Sequence, residues 1–491
     1  MLIALLIYFA VLLIVARLSG KGGNDAFFRA GRKSPWALVA FGMIGASISG
    51  VTFIGVPGWV MTTDMTYIQM CLGFIVGYII VAFVLLPLYY KLGLTSIYTY
   101  LQHRLGNTSY KTGAWFFILS KLLGAAAKFY VVVQILQVCV ADQYGIPYAV
   151  TAIITLLFIW IYTRRSGIRT LVWTDVLQTF ILLLALIIIL VQVCTKLDFS
   201  FSDAWTAVWS SPHSKIFEFN DWTSKQYFWK QFLSGVFVVI VMTGLDQDMM
   251  QKNLTCKNLR AAQKDMCSYG VMFVPVNLLF LALGILLLML YSQIGMEIPE
   301  KGDSLLANIV LSGTLGQTAM ICFGIGVVAS AFSSADSSMT AITTSMCIDI
   351  LQKEHDERLR KRVHLLVMIA FLLCSLAFNA IGSGSVMDLI YTLVSYTYGP
   401  LLGLFAWGMI RGVTGVTGVT GVQEQRSAND RFVPYIAIAA PVICYIIDYT
   451  TLKYTGYKFG YEMLLLNGLL TFIGLWAVRC GKSCPSPPQK I

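Results

Sequence analysis

The chain has 491 residues, of which 57% are hydrophobic and only 12% are charged. Soluble globular domains carry about twice that share of charged residues, so the composition excludes a soluble protein and indicates a polytopic membrane protein. The net charge of +11 does not indicate a nucleic-acid partner, because the basic residues lie in short segments between apolar spans.

Apolar segments follow one another along the whole chain and predict an all-α fold with about 13 transmembrane helices. The predicted spans are residues 1–19, 36–60, 67–90, 112–140, 147–163, 171–194, 232–248, 266–292, 314–350, 363–380, 387–410, 432–449 and 462–478. Most of the 35 lysine and arginine residues fall in alternate connecting segments on one side. The positive-inside rule therefore predicts an N-terminus outside and a C-terminus inside the cell. The first span has no basic segment before it, so we interpret it as a retained helix rather than a signal peptide.

We interpret two of the predicted spans as interrupted by their glycine and proline residues. The second span has several glycines and Pro57, and the eleventh has Gly399 and Pro400 near its middle. Broken helices in corresponding halves are typical of inverted-repeat transporters, where they form the substrate site. We therefore predict that both the second and the eleventh spans are broken.

This pattern divides the chain into a core and its additions. Residues 36–194 form a predicted first five-helix repeat, and residues 232–410 form the second. Residues 1–19 are an extra N-terminal helix, and residues 432–478 hold two further helices. Residues 411–431 are a low-complexity cytoplasmic loop with the repeat GVTGVTGVTGV, and residues 479–491 are a cytoplasmic tail.

The ninth span carries an unusual density of hydroxyl groups. Its segment FSSADSSMTAITTS, from Phe332 to Ser345, also contains Asp336. Ionisable residues in a membrane span cost about 2.5 kcal/mol or more and usually face a bundle interior or a wet cavity. Serines at positions 330, 333, 334 and 337 share one helix face, and hard cations prefer such oxygen ligands. The alternative is that these hydroxyls only bond to backbone carbonyls and help the helices to pack; we favour an ion site.

Several segments in chain order resemble the sodium/solute symporter family, which includes sodium/galactose, sodium/proline, sodium/iodide and sodium/sialic-acid transporters. The resemblance rests on FFRAGRKSPW (27–36), ASISGVTFIG (46–55), WTDVLQ (173–178), GLDQDMMQKNL (244–254), FSSADSS (332–338) and CIDIL (347–351). A further match, YGPLLGLF (398–405), is similar to the iodide, multivitamin and monocarboxylate branch. The resemblance implies a LeuT-type 5+5 inverted-repeat core.

The resemblance also implies sodium ligands. The main sodium site would use the carbonyl groups of Gly45, Ile48 and Ser330 and the hydroxyl groups of Ser333 and Ser334. A possible second sodium site would use Asp175, Ser333, Asp336 and Ser337, with Asp336 standing where a hydroxyl is expected. From the sequence alone, Asp175 is equally explained as an acid near the N-terminus of its helix.

The substrate expectation depends on Lys128, which lies near the middle of the span 112–140. A lysine there needs an anionic partner, either a protein carboxylate or the substrate itself. By resemblance to sialic-acid transporters, Ser47, Ser49, Thr52 and Gln69 would line the same pocket. We therefore favour an acidic sugar or another organic anion over a neutral sugar. Lys121, on the same span but nearer the cytoplasm, is expected to extend towards the membrane surface.

Together these features predict a sodium-coupled symporter that works by alternating access, with sodium ions, a small-molecule substrate and the lipid bilayer as partners. No residue pattern indicates an enzyme, and the broken helices suit a carrier better than a channel or a sensor. The expected location is the plasma membrane, as a multi-pass protein of a bacterial inner membrane. No feature of the sequence specifies an oligomeric state.

Overall fold

The computed structural model describes residues 2–19, 23–48, 50–164, 167–381, 386–414, 430–457 and 459–479. Most of these residues are helical, and the others form the connections and one isolated bridge between Ser34 and Cys256. The helices of the first half are α1 (Leu2–Ser19), α2 (Asn24–Arg29), α3 (Trp36–Ser47), α4 (Gly50–Thr63), α5 (Tyr67–Ile80), α6 (Leu86–Lys91), α7 (Thr99–Arg104), α8 (Asn107–Leu136), α9 (Tyr148–Thr163), α10 (Ile168–Lys196) and α11 (Phe201–Ser210).

The second half continues in the same way. Its helices are α12 (Phe228–Val239), α13 (Gln247–Asn253), α14 (Leu259–Ile294), α15 (Leu305–Leu311), α16 (Gly316–Ser345), α17 (Glu357–Ile381), α18 (Val386–Thr414), α19 (Val433–Thr455) and α20 (Glu462–Arg479). Within the described residues, eight helices are long and apolar enough to cross a membrane, or up to ten if each bent pair is one span. Shorter apolar helices occupy Tyr148–Thr163, Gly302–Leu311 and Glu462–Val478. The protein is therefore an all-α multi-pass membrane protein.

Two membrane-length helices are broken by sharp bends. The first break separates α3 from α4, whose axes differ by 59°. At this break Ile48 leaves the helix, with φ −78° and ψ 85°. The second break follows Gly244 and turns the chain by 70° into α13. The side chain of Asp246 caps α13 by accepting hydrogen bonds from the backbone N–H groups of Asp248 and Met249.

The second break does not lie where the sequence predicted it. We expected the eleventh span to be broken at Gly399 and Pro400, but α18 runs through both as one helix from Val386 to Thr414. The glycines have a packing role instead: at Gly399 a Cβ atom would collide with Asn467, and at Gly403 it would lie 2.6 Å from the Cβ of Thr471. Small residues allow α18 and α20 to approach closely.

The hydroxyl-rich helix α16 lies at the centre of the bundle. Every residue from Gly326 to Ser345 is buried, on all sides of the helix. It contacts α3, α4, α8, α10 and α17. A helix that is enclosed on all sides must find hydrogen-bond partners for its polar groups within the protein. The partners of the hydroxyl and carboxylate groups of α16 define the candidate site.

Candidate functional site

The break after α3 exposes a backbone carbonyl to α16. The carbonyl oxygen of Ile48 accepts a hydrogen bond of 2.7 Å from the hydroxyl of Ser330. Both residues are buried, Ile48 at 0% and Ser330 at 1% exposure. The structure therefore brings Ile48 and Ser330, two residues of the predicted main sodium site, into direct contact through the hydroxyl of Ser330 and not its carbonyl.

Gly45 lies one turn before the break and packs against α10. Its N–H donates to the hydroxyl oxygen of Thr179 at 3.1 Å. A Cβ atom at position 45 would lie 3.0 Å from the Cα of Thr179 and closer still to its hydroxyl. The family resemblance implied a role for the carbonyl of Gly45, and the structure shows that the missing side chain also lets α3 approach α10.

The remaining predicted sodium ligands follow the same face of α16. Ser333 is fully buried and donates a hydrogen bond of 2.7 Å to Asp175. Ser334 is 8% exposed and lines the central cavity. The serine face thus extends from the break in the first helix to the cavity wall.

The acidic pair expected at a second sodium site is buried beside this face. Asp336 accepts a hydrogen bond of 2.6 Å from Tyr162 and a longer one, 3.3 Å, from Ser337. Asp175 lies two turns into α10 and is 1% exposed, so a position at the helix N-terminus does not explain it. Its second carboxylate oxygen lies 2.8 Å from the ammonium of Lys252.

Lys252 is a residue whose environment we predicted wrongly. It falls between the predicted spans 232–248 and 266–292, in a connection that the positive-inside rule places in the cytoplasm. The structure instead has α13 carry it into the bundle, where it is 2% exposed. The available signal was the spacing of Asp248 and Lys252, which share a helix face at i and i+4. Because the segment follows an apolar span and is polar, this spacing alone does not distinguish a buried helix from a cytoplasmic loop.

A cavity lies between α4, α5, α8, α14, α16 and the second break. Ser47, Thr52, Lys121, Lys128, Asp248 and Ser334 are among its lining residues. Of the predicted substrate ligands, Ser47 shares a hydrogen bond with the hydroxyl of Tyr269, and Ser49 lies outside the described residues. The structure therefore brings Ser47, Thr52 and Lys128 to one cavity.

Gln69 is held away from this cavity. Its amide nitrogen donates to the carbonyl of Gln226 at 2.9 Å, and its amide oxygen accepts from the backbone N–H of Glu218 at 3.1 Å. Gln69 is fully buried and does not line the cavity. In this structure it anchors the connection between α11 and α12.

The two lysines of α8 differ in their electrostatic surroundings. Lys121 lies 3.0 Å from Asp246 and 2.9 Å from Asp248, so it is paired inside the bundle and does not extend towards the membrane surface as predicted. Lys128, two helical turns further, also faces the cavity, but no carboxylate of the described residues lies within 4.0 Å of its ammonium. The cavity thus presents an ammonium that makes no ion pair among the described residues, and the carboxylates of Asp246 and Asp248 act on its charge only from a longer distance.

Comparison with known proteins gives the family. The sodium:solute symporter family model matches residues 27–413. The sodium/sialic acid symporter SiaT of Proteus mirabilis is 25% identical over 421 residues, covering 82% of this chain and 83% of that protein. The corresponding protein NanT of Aliivibrio fischeri is 24% identical, covering 91% and 87%. The human sodium/iodide cotransporter is 24% identical, covering 79% and 62%.

Solved structures give the same fold. A substrate-bound, outward-open Na⁺-coupled sialic acid symporter superposes with a TM-score of 0.77 at 22% identity, covering 97% of this chain and 96% of the other. Mhp1, a nucleobase-cation-symport-1 family transporter, gives a TM-score of 0.55 at 15% identity, covering 92% and 93%. These similarities support the LeuT-type fold that the resemblance implied. The chain belongs to the sodium:solute symporter family and is a sodium-coupled transporter, not an enzyme.

Proposed function

We propose that this symporter imports an acidic sugar of the sialic acid class together with sodium. The observation that carries the substrate class is Lys128, whose ammonium faces the cavity without a carboxylate of the described residues within 4.0 Å. Burying an unpaired charge is costly, so a substrate carboxylate that pairs with it gains binding energy. The relatives named as sialic acid symporters support the same class.

Sodium binds, in this proposal, between the broken first helix and α16. The ligands are the carbonyls of Gly45, Ile48 and Ser330 and the hydroxyls of Ser333 and Ser334. The hydrogen bond of 2.7 Å between the hydroxyl of Ser330 and the carbonyl of Ile48 supports this position, since it holds the broken helix against α16. Ser334 also lines the cavity, so in this proposal the same residue borders both the sodium ion and the substrate.

Alternating access follows from this arrangement. With sodium bound, the first helix and α16 are held together, and the cavity geometry suits the substrate. When the two helices separate, the ion loses carbonyl and hydroxyl ligands at the same time and leaves. Because the bound ion stabilises one conformation over the other, the sodium gradient drives the uptake of the substrate. We place the protein in the plasma membrane of a bacterium, in agreement with the bacterial relatives.

Binding of N-acetylneuraminate to the purified protein in saturating sodium tests the substrate class. Removing one partner of a buried charge pair typically costs about 3–5 kcal/mol, so Lys128→Ala should weaken binding at least about a hundredfold. Lys128→Arg keeps the charge and should retain part of the affinity. Near-equal affinities of wild type and Lys128→Ala, or binding of galactose in preference to the acid, would point to a neutral sugar instead.

A further inference from the structure

Lys252 places a permanent positive charge beside the main sodium site. Its ammonium lies 2.8 Å from Asp175 and 4.0 Å from Asp248. Lys252, Asp175 and Asp248 are each no more than 7% exposed at the side chain. An ammonium at this depth is stable only because carboxylates surround it.

The oxygens around this ammonium would otherwise suit a metal cation. Asp175 offers two carboxylate oxygens, one of which already accepts from Ser333. Asp336 adds a second buried carboxylate on the adjacent helix, next to Ser337. Carboxylate and hydroxyl oxygens are the ligands that hard cations prefer. Lys252 therefore occupies the contact with Asp175 that a sodium ion would use, and two cations at one carboxylate oxygen repel each other.

We propose that Lys252 is a fixed cation that takes the place of a second sodium ion, so that the protein moves one sodium ion per substrate. The inference rests on the proposed function, because it takes the site at Ser333 and Ser334 as the remaining sodium site. Ser333 connects the two positions, since its hydroxyl bonds to Asp175. In this proposal the ammonium of Lys252 neutralises the carboxylate of Asp175 throughout the transport cycle and does not itself cross the membrane.

The fixed charge has an electrical consequence. One sodium ion carried with a monoanionic sugar moves no net charge across the membrane. A second sodium ion would add one positive charge per cycle and couple transport to the membrane potential. Ion stoichiometry and electrogenicity therefore change together if Lys252 is replaced by a neutral residue.

Equilibrium binding of radioactive sodium to the purified full-length protein tests the proposal without any substrate. Wild type should bind one sodium ion per chain, and Lys252→Met should bind two, because Asp175 becomes free to ligate the second. Lys252→Arg keeps the charge and should bind one. The double variant Asp175→Asn with Lys252→Met removes both partners and should also bind one sodium ion.

A second measurement uses the protein in liposomes. There N-acetylneuraminate should evoke a sustained current with Lys252→Met and none with wild type.

Two sodium ions bound by wild type would overturn the proposal, and so would one ion bound by a folded Lys252→Met protein. If Lys252→Met does not fold, the wild-type count and the double variant still decide, because two ions in either contradict a fixed cation. A different result would show that the main sodium site is wrong. In that case wild type would bind no sodium, or the double variant Ser333→Ala with Ser334→Ala would bind sodium as wild type does. Either result would contradict both proposals. A substrate-evoked current in wild type with one bound sodium leaves the fixed cation supported and contradicts only the anionic substrate.

Discussion

Three lysines inside the helical bundle show how surroundings decide the role of a charge. Lys121 lies between Asp246 and Asp248, and Lys252 lies against Asp175. Lys128 faces the cavity without a carboxylate of the described residues within 4.0 Å. Removing a paired ammonium leaves its carboxylate buried without a counter-charge and costs stability, whereas an unpaired ammonium carries a desolvation cost that a bound anion would relieve.

This difference predicts opposite effects on stability. Lys121→Met leaves the buried carboxylate of Asp246 without its cation and leaves Asp248 with only the more distant Lys252. It should therefore lower the free energy of unfolding by about 3 kcal/mol, reduced somewhat by the partial exposure of Lys121. Lys128→Met removes a charge that has no partner and should leave stability unchanged or raise it. Thermal unfolding of the purified, substrate-free variants compares the two. Equal losses of stability would show that Lys128 has a structural partner.

The serine face of α16 leads to a prediction about sodium. Replacing Ser333 and Ser334 together by alanine removes two proposed oxygen ligands, so the sodium concentration for half-maximal uptake should rise about tenfold or more. Thr340→Ala is the matched control, because Thr340 is a buried hydroxyl on the same helix with no hydrogen-bond partner among the described residues. If the double variant needs the same sodium concentration for half-maximal uptake as wild type, or if the control changes this concentration equally, Ser333 and Ser334 do not bind sodium.

At the scale of helices, the sequence predicted one broken helix and missed the other for physical reasons. The first break coincides with a run of glycines that favour leaving the helix, and the structure places it at Ile48. The second has Gly244 but no proline, and its continuation α13 is polar because it is stabilised by buried ion pairs. Gly399 and Pro400 suggested a break, but the helix continues through both, and Gly399 allows close packing against α20. Glycine and proline residues in the sequence do not show by themselves whether a helix breaks or packs closely against another helix, because tertiary contacts decide between these two outcomes.

The packing of α3 on α10 gives a prediction at this scale. Gly45→Ala puts a methyl group against Thr179 and should lower the free energy of unfolding by about 1–3 kcal/mol, with weaker sodium binding because α3 shifts. Gly124→Ala is the control, since a Cβ there meets nothing within 4 Å and alanine favours the helix. Thermal unfolding with and without sodium measures both. A Gly45→Ala protein as stable as Gly124→Ala would show that the contact between α3 and α10 is loose.

For the whole molecule, the proposed function depends on two polar layers inside an apolar bundle. One layer joins the broken first helix to α16 through Ser330 and Ile48. The other joins α8 to α13 and α10 through Lys121, Asp248 and Lys252. The fold class and the family could be predicted from composition and motifs. The second layer could not, because its charges come from distant parts of the chain and only the fold brings them together.

Uptake of labelled N-acetylneuraminate into liposomes containing the purified protein tests the central claim most directly. An inward sodium gradient should drive the acid above its external concentration, and accumulation should disappear when potassium replaces sodium on both sides. Galactose should not accumulate under the same gradient. Uptake that only equilibrates, or that proceeds equally in potassium, would contradict sodium-coupled transport of an acidic sugar by this protein.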